Sequence, residues 1–183
     1  MIIDDTLESI FDALKNAAIA KRDGVTLNID FSRLRPRGDI ISSVQKPAQG
    51  VVAFLKIFNQ ALSGVNEGEN NSKTITIIIK VNHPDILEFL SYKSNFTTKI
   101  EVNSDFINAV ENNQMYDLID PRTGLATNKL SAQSVYNLIS DKIGDNHESQ
   151  ILYSQESLPL SYPAITRQAR EITPPPIIKM VSR

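Results

Sequence analysis

A chain of 183 residues with 41% hydrophobic and 22% charged residues can form one domain with a real core. Its net charge of −2 gives no general attraction to nucleic acid or an anionic membrane, and no apolar run approaches the roughly 20 residues of a membrane span. The absence of cysteine excludes a disulfide framework, thiolate metal sites and cysteine catalysis by this chain. The start, Met1-Ile2-Ile3-Asp4-Asp5, is acidic and lacks the basic region of a signal peptide, so a cytoplasmic location is the default expectation.

Asp5 followed by Glu8 reads as a capping pair for a first helix, with Leu7, Ile10, Phe11, Leu14, Ala17 and Ala18 on its buried face. Lys21, Arg22 and Gly24 suit its C-terminus. Val25, Leu27, Ile29 and Phe31 alternate as a strand does when one face is buried. Residues 32–48 read as a basic, irregular loop. Pro47 stands where a helix can start, and residues 48–63 carry Val51, Val52, Phe54, Leu55, Phe58 and Leu62 on a broad apolar face. Gly64 to Ser72 is polar and Asn-rich, hence a loop. The β-branched run Thr74 to Val81 predicts a central strand.

His83-Pro84-Asp85 opens a short helix to about Ser91, residues 95–102 form a further strand, and Ser104-Asp105 cap a helix to about Asn112. Asp120-Pro121-Arg122-Thr123-Gly124 is turn chemistry and predicts a hairpin. Ser131 caps a last helix with Leu130, Val135, Leu138, Ile139 and Ile143 on its apolar side, ending at Gly144. Residues 1–144 therefore read as an α/β domain with a mainly parallel sheet and flanking helices. Residues 145–183, with Pro174-Pro175-Pro176, read as an irregular, partly extended tail.

Four segments carry a resemblance. They are Ser9-Ile10-Phe11-Asp12-Ala13-Leu14; Phe31-Ser32-Arg33-Leu34-Arg35-Pro36-Arg37-Gly38-Asp39-Ile40; His83-Pro84-Asp85-Ile86-Leu87-Glu88-Phe89-Leu90; and Asp120-Pro121-Arg122-Thr123-Gly124. In this order and spacing they resemble the catalytic subunit of ribonucleotide reductase, most closely its adenosylcobalamin-dependent class. The likeness covers residues 5–143, about three quarters of the chain. It implies part of a ten-stranded α/β barrel, with two helices that build a dimer interface and a nucleotide effector site beside them. It also implies that the chain begins just after the family's earlier strand, which bears a redox cysteine. A piece of a barrel exposes sheet edges that its own tail, residues 151–183, or a partner must cover.

Carried over by residue, the resemblance places Asp5 at an effector ribose and Arg35, with Arg33, at effector phosphates; a carboxylate accepts from a sugar hydroxyl and a guanidinium grips phosphate. It also implies a dimer or partner interface formed by Ile10, Leu14, Phe54, Leu55 and Phe58. Three departures weigh against catalysis. Of the family's glycine-rich and Ser-Gly-Pro elements only Gly50 survives within Ser42–Val51. The family's Gly-Gly-x-Arg-Arg-Gly loop reads Asn66-Glu67-Gly68-Glu69-Asn70-Asn71-Ser72-Lys73, which reverses the local charge toward a phosphate. Nothing in residues 145–183 replaces the radical cysteine and its glutamate.

Asp5 thus has two readings, helix cap and ribose contact, which are compatible. Arg33, Arg35 and Arg37 read either as a phosphate site or as a solvated basic loop. His83 reads as a helix-entry residue, and His83 and His147 together do not make a metal site. The resulting expectation is a non-catalytic ribonucleotide reductase-like protein that binds itself, a reductase chain or a larger assembly, with no catalytic residue, metal, cobalamin, nucleic acid or membrane of its own. The alternatives are a component of a split adenosylcobalamin-dependent reductase and a deoxynucleotide sensor.

Overall fold

The structure, a computed structural model, describes residues 1–65, 75–145 and 149–154. Its elements are α1 (Leu7–Asp23), β1 (Leu27–Asp30), β2 (Ile40–Ile41), β3 (Lys46–Pro47), α2 (Val51–Ser63), β4 (Ile75–Lys80), α3 (Ile86–Ser91), β5 (Thr97–Val102), α4 (Ser104–Glu111), β6 (Met115–Ile119), β7 (Ala126–Ser131), α5 (Ala132–Asp145) and β8 (Ser149–Tyr153). Strands β1, β4, β5 and β8 form a parallel sheet in that order. Each strand is added beside the previous one, as in the wall of a barrel. The helices α1, α2, α3, α5 and α4 touch one another in that succession. Residues 1–3 continue the sheet beyond β1: Ile3 N donates to the Asp30 carbonyl at 3.1 Å and Asp30 N to that of Met1 at 2.9 Å.

The alternation of each strand sorts its side chains. Ile29, Ile77, Ile79, Ile100 and Val102 lie under the helices, packed with Ile10, Ala13 and Ala17 of α1 and Val51, Leu55, Phe58 and Leu62 of α2. The opposite face carries Asn28, Asp30, Thr76, Ile78, Lys80, Thr97, Lys99 and Glu101, brought together by the registers Asn28↔Thr76↔Thr97, Asp30↔Ile78↔Lys99 and Lys80↔Glu101. Parallel sheets are usually apolar on both faces; this one is apolar on one.

Several expectations are corrected. The α1 cap is Thr6, whose Oγ1 accepts from Ser9 N at 3.1 Å. Asp5 lies one residue too early and its carboxylate is used elsewhere. Leu7 and Phe11 are 62% and 51% exposed, because α1 buries only the narrow stripe of Ile10, Ala13 and Ala17. Pro47 does not start α2; it pairs with Ile40 in a small antiparallel hairpin, so the segment 32–48 is not wholly irregular. Asn103 rather than Ser104 caps α4, accepting from Phe106 N at 3.0 Å. Beyond residue 144 the chain supplies β8, in register with β5 from Thr98↔Ser149 to Val102↔Tyr153. The loop 66–74, His147 and the triproline segment lie outside the described residues.

Helix α2 is capped from a distance. Its N-cap residue is Gly50, with φ +79°, and Val51 N donates at 2.9 Å to Oδ2 of Asp85, which precedes α3. The same carboxylate accepts from Arg37 N at 3.0 and 3.2 Å. A Cβ on Gly50 would stand 2.5 Å from Asp85 Oδ2 and 2.8 Å from Arg37 Cβ. Gly50→Ala therefore strains the backbone and evicts the carboxylate together. The expected loss is about 2–4 kcal/mol of unfolding free energy, read as a lower urea midpoint; an unchanged midpoint would refute this account of the junction.

Candidate functional site

The loop after β1 is held by one local bond and two to the neighbouring strand β4. Ser32 N donates to Asp30 Oδ1 at 2.8 Å, Ser32 Oγ accepts from Lys80 N at 2.9 Å, and Phe31 N reaches the Ile78 carbonyl at 2.9 Å. Leu34 and Pro36 are buried, so Arg33, Arg35 and Arg37 leave the loop on the alternate positions. Arg35 is the most enclosed. Its Nε donates to Asp5 Oδ2 at 2.7 Å and its backbone N to Asp5 Oδ1 at 3.1 Å, with both side chains about one fifth exposed. Arg33 pairs with Asp4 at 3.2 Å in the open, and Arg37 approaches Glu88 at 3.4 Å.

A fourth arginine, Arg122, enters from the β6–β7 turn. Asp120 Oδ1 accepts from Arg122 N at 2.7 Å and from Thr123 N at 3.2 Å, which shapes the turn. The Arg122 guanidinium then donates to Asp39 and brings its Nε within 3.9 Å of Asp5 Oδ2. Its hydrogen bond to Asp39 and the charge of that carboxylate raise the Arg122 pKa above its already high ordinary value. Arg33, Arg35 and Arg122 thus face Asp4, Asp5 and Asp39, a cluster whose charges cancel. A phosphate could be gripped here only by competing with Asp5 for Arg35.

Asp5 and Arg35 are in direct contact, whereas Arg33 stands at the rim with Asp4. Asp39 and Arg122 were not foreseen as members; their sequence signal is the Asp-Pro-Arg-Thr-Gly turn, which reveals its own shape but not what it touches. His83 is unsuited to metal binding: Nε2 bonds the Leu34 carbonyl at 2.8 Å and Nδ1 accepts from Asp85 N at 3.1 Å. Burial lowers the imidazole pKa, against the raising effect of the Leu34 carbonyl and of Asp85, Asp120 and Asp30.

The expected interface set divides. Ile10, Leu55 and Phe58 are 3%, 1% and 0% exposed and belong to the chain's own core, so they offer no surface. Phe58 meets Phe31 edge-on at 5.3 Å between ring centroids. Leu14 and Phe54 are partly buried at the margin of that core. Leu7, Phe11, Leu14 and Ala18 fall at helical spacing along one stripe of α1, and Phe54, Ile57 and Ala61 do so on α2.

A family model described as ribonucleotide reductase, barrel domain, matches residues 1–170. The chain belongs to the ribonucleotide reductase barrel-domain family. It is 32% identical over 161 residues to the vitamin B12-dependent ribonucleoside-diphosphate reductase of Thermoplasma acidophilum, covering 84% of this chain and 21% of that protein. It is 33% identical over 144 residues to the vitamin B12-dependent ribonucleoside-diphosphate reductase of Mycobacterium tuberculosis, covering 75% of this chain and 21% of that protein. To the ribonucleoside-diphosphate reductase subunit alpha of Synechocystis it is 26% identical over 129 residues, covering 65% of this chain and 17% of the relative. The chain spans about a fifth of the length of the curated relatives it matches.

The ion pairs differ in burial and should differ in strength. A double-mutant cycle of Asp5→Ala with Arg35→Ala should give a coupling of about 1–2 kcal/mol, as for a partly shielded, charge-assisted bond. The exposed Asp4–Arg33 pair should give less than about 0.5 kcal/mol. Urea denaturation of the two cycles measures both; equal couplings would contradict the role given to burial.

Proposed function

We propose that this chain acts by association, as a non-catalytic binding part of a ribonucleotide reductase-type assembly. The partner is a second copy of the chain or a reductase chain. The observation that carries the reading is the apolar stripe on α1, where Leu7 and Phe11 are 62% and 51% exposed beside partly buried Leu14, together with Ile57 of α2 at 41%. Exposed apolar side chains on two helices that touch one another suit helix-to-helix packing across a symmetric interface. Radical and dithiol chemistry by this chain is disfavoured by its composition: among 183 residues there is no thiol.

The B12-dependent relatives raise adenosylcobalamin as a group for the assembly, and His83, with both ring nitrogens bonded to backbone groups, is not free to serve it as a ligand. A second reading is a component of a split reductase, with another chain providing thiols and further strands. It draws support from β8, which ends the sheet order among the described residues, and from the polar sheet face.

Light scattering tests the association. The wild-type chain should run as a dimer, or co-elute with a reductase chain. Phe11→Glu and Ile57→Glu should shift it to monomer with unchanged circular dichroism, because both side chains are exposed and lie outside the core. A wild-type chain that stays monomeric at high concentration and captures no reductase chain would overturn the reading.

A deoxynucleotide-sensing role is the weaker third reading. One arginine–phosphate contact contributes on the order of 1.5–3 kcal/mol, against roughly 8 kcal/mol for a micromolar complex, and here Asp5 already holds Arg35. Calorimetric titration with the four deoxynucleoside triphosphates and magnesium should give millimolar affinity at best. A low-micromolar constant abolished by Arg35→Ala would move the sensor reading ahead.

A further inference from the structure

Segment 34–51 carries Arg35, Arg37 and Asp39, and it is fastened at both ends to the two residues His83 and Asp85. At one end the Leu34 carbonyl accepts from His83 Nε2 at 2.8 Å. At the other, the Asp85 carboxylate holds Val51 N at 2.9 Å, and it also takes Arg37 N at 3.0 Å. The two fasteners are joined, since Asp85 N donates to His83 Nδ1 at 3.1 Å. Between them the segment is tied to itself through Gly38 N to the Ala48 carbonyl at 2.9 Å, Ala48 N to that of Asp39 at 2.8 Å and the two-pair hairpin, and to its surroundings through Arg35 to Asp5, Asp39 to Arg122 and Arg37 to Glu88.

We propose that His83 is a proton-operated latch on this arginine-bearing loop. The ring is 2% exposed and must be the Nε2–H tautomer, because Nδ1 receives a backbone N–H. A proton added at Nδ1 turns that acceptor into a donor and sets it against the Asp85 N–H, donor to donor. The acceptor it then seeks is the Asp85 carboxylate, whose charge acts on the ring more strongly than those of Asp120 and Asp30. A carboxylate drawn to the imidazolium weakens its hold on Arg37 N and Val51 N. The loop opens, and the ring gains water.

The charged groups acting on the ring are Asp85 before α3, Asp120 after β6 and Asp30 at the end of β1; all are acids and favour the imidazolium. Burial opposes them and prevails, so the latched ring binds its proton less readily than a free one, whose ordinary value is 6.5. The sign follows. Latching is complete above about pH 6.5, and it is lost progressively as pH falls from there to the value of the buried ring.

Amide hydrogen exchange of the full chain, corrected for its intrinsic pH dependence, tests the latch alongside an NMR titration of the His83 ring. Exchange at Arg37 and Val51 should rise by up to about tenfold per pH unit below 6.5, the limit for one coupled proton. Its midpoint should be that of the ring, while Ile77 and Ile79 in β4 exchange more slowly throughout. In His83→Gln, whose amide can serve both backbone partners but cannot titrate here, the rise should disappear. The proposal is overturned if His83 titrates while the Arg37 and Val51 amides keep their protection. It is also overturned if the ring stays neutral down to global acid unfolding, or if His83→Gln shows the same rise.

Discussion

The carboxylate of Asp85 is the constraint on which the arrangement of this domain depends. It is buried, yet it lies among backbone N–H groups that need an acceptor: Arg37 N in the loop and Val51 N at the start of α2. A buried anion without such donors would be costly, and the donors without the anion equally so. The carboxylate therefore locks together three pieces far apart in sequence. Gly50 follows as a necessity, because the backbone must pass at φ +79° so close to the carboxylate that a methyl group has no place. His83 follows too, since its Nδ1 accepts the N–H of that same aspartate. Helix α2 is thus positioned from outside itself, by a residue that opens α3.

This junction determines what the arginine cluster can do. With segment 34–51 fastened at both ends, Arg35 rests against Asp5 at the entrance to α1, and Asp39 is within reach of Arg122 on the β6–β7 turn. The ionic cluster joins three connections of the barrel wall, and its three arginines are balanced by three aspartates. Such a balance favours cohesion over ligand capture. A triphosphate must displace a carboxylate that already makes two hydrogen bonds to Arg35, so part of any binding energy is spent on separating the pair.

Sequence patterns made the parallel sheet and most helices legible because these depend on local rules. The β-branched run of β4 and the turn residues at Asp120 to Gly124 predicted a strand and a hairpin, and both are present. Periodicity failed where two adjacent stripes are both apolar. On α1 it grouped Leu7 and Phe11 with Ile10, although only one stripe meets the sheet. It failed again at Pro47, whose fixed φ suits a strand edge as well as a first helical turn. β8 was hidden because a short strand after a helix carries little pattern of its own; pairing with Thr98 to Val102 makes it a strand. Family resemblance singled out Asp5 and Arg35 as separate ligand contacts, and their pairing with each other was not legible. Asp39 and Arg122 are 83 residues apart, and no local signal joins them.

The two faces of the sheet and the two stripes of α1 point the same way. A domain content to stand alone hides its apolar stripes and covers its parallel sheet on both sides. Here the helix side is satisfied by Ile77, Ile79, Phe58 and their neighbours, whereas the opposite side bears Asp30, Lys80, Lys99 and Glu101. On α1 the stripe next to the core keeps Leu7 and Phe11 in water. Exposed apolar surface contributes to stability only when something else removes it from water. In the association proposed above, contacts over Leu7 and Phe11 would do that, while Asp85, His83 and Gly50 act within the chain to hold the loop in shape.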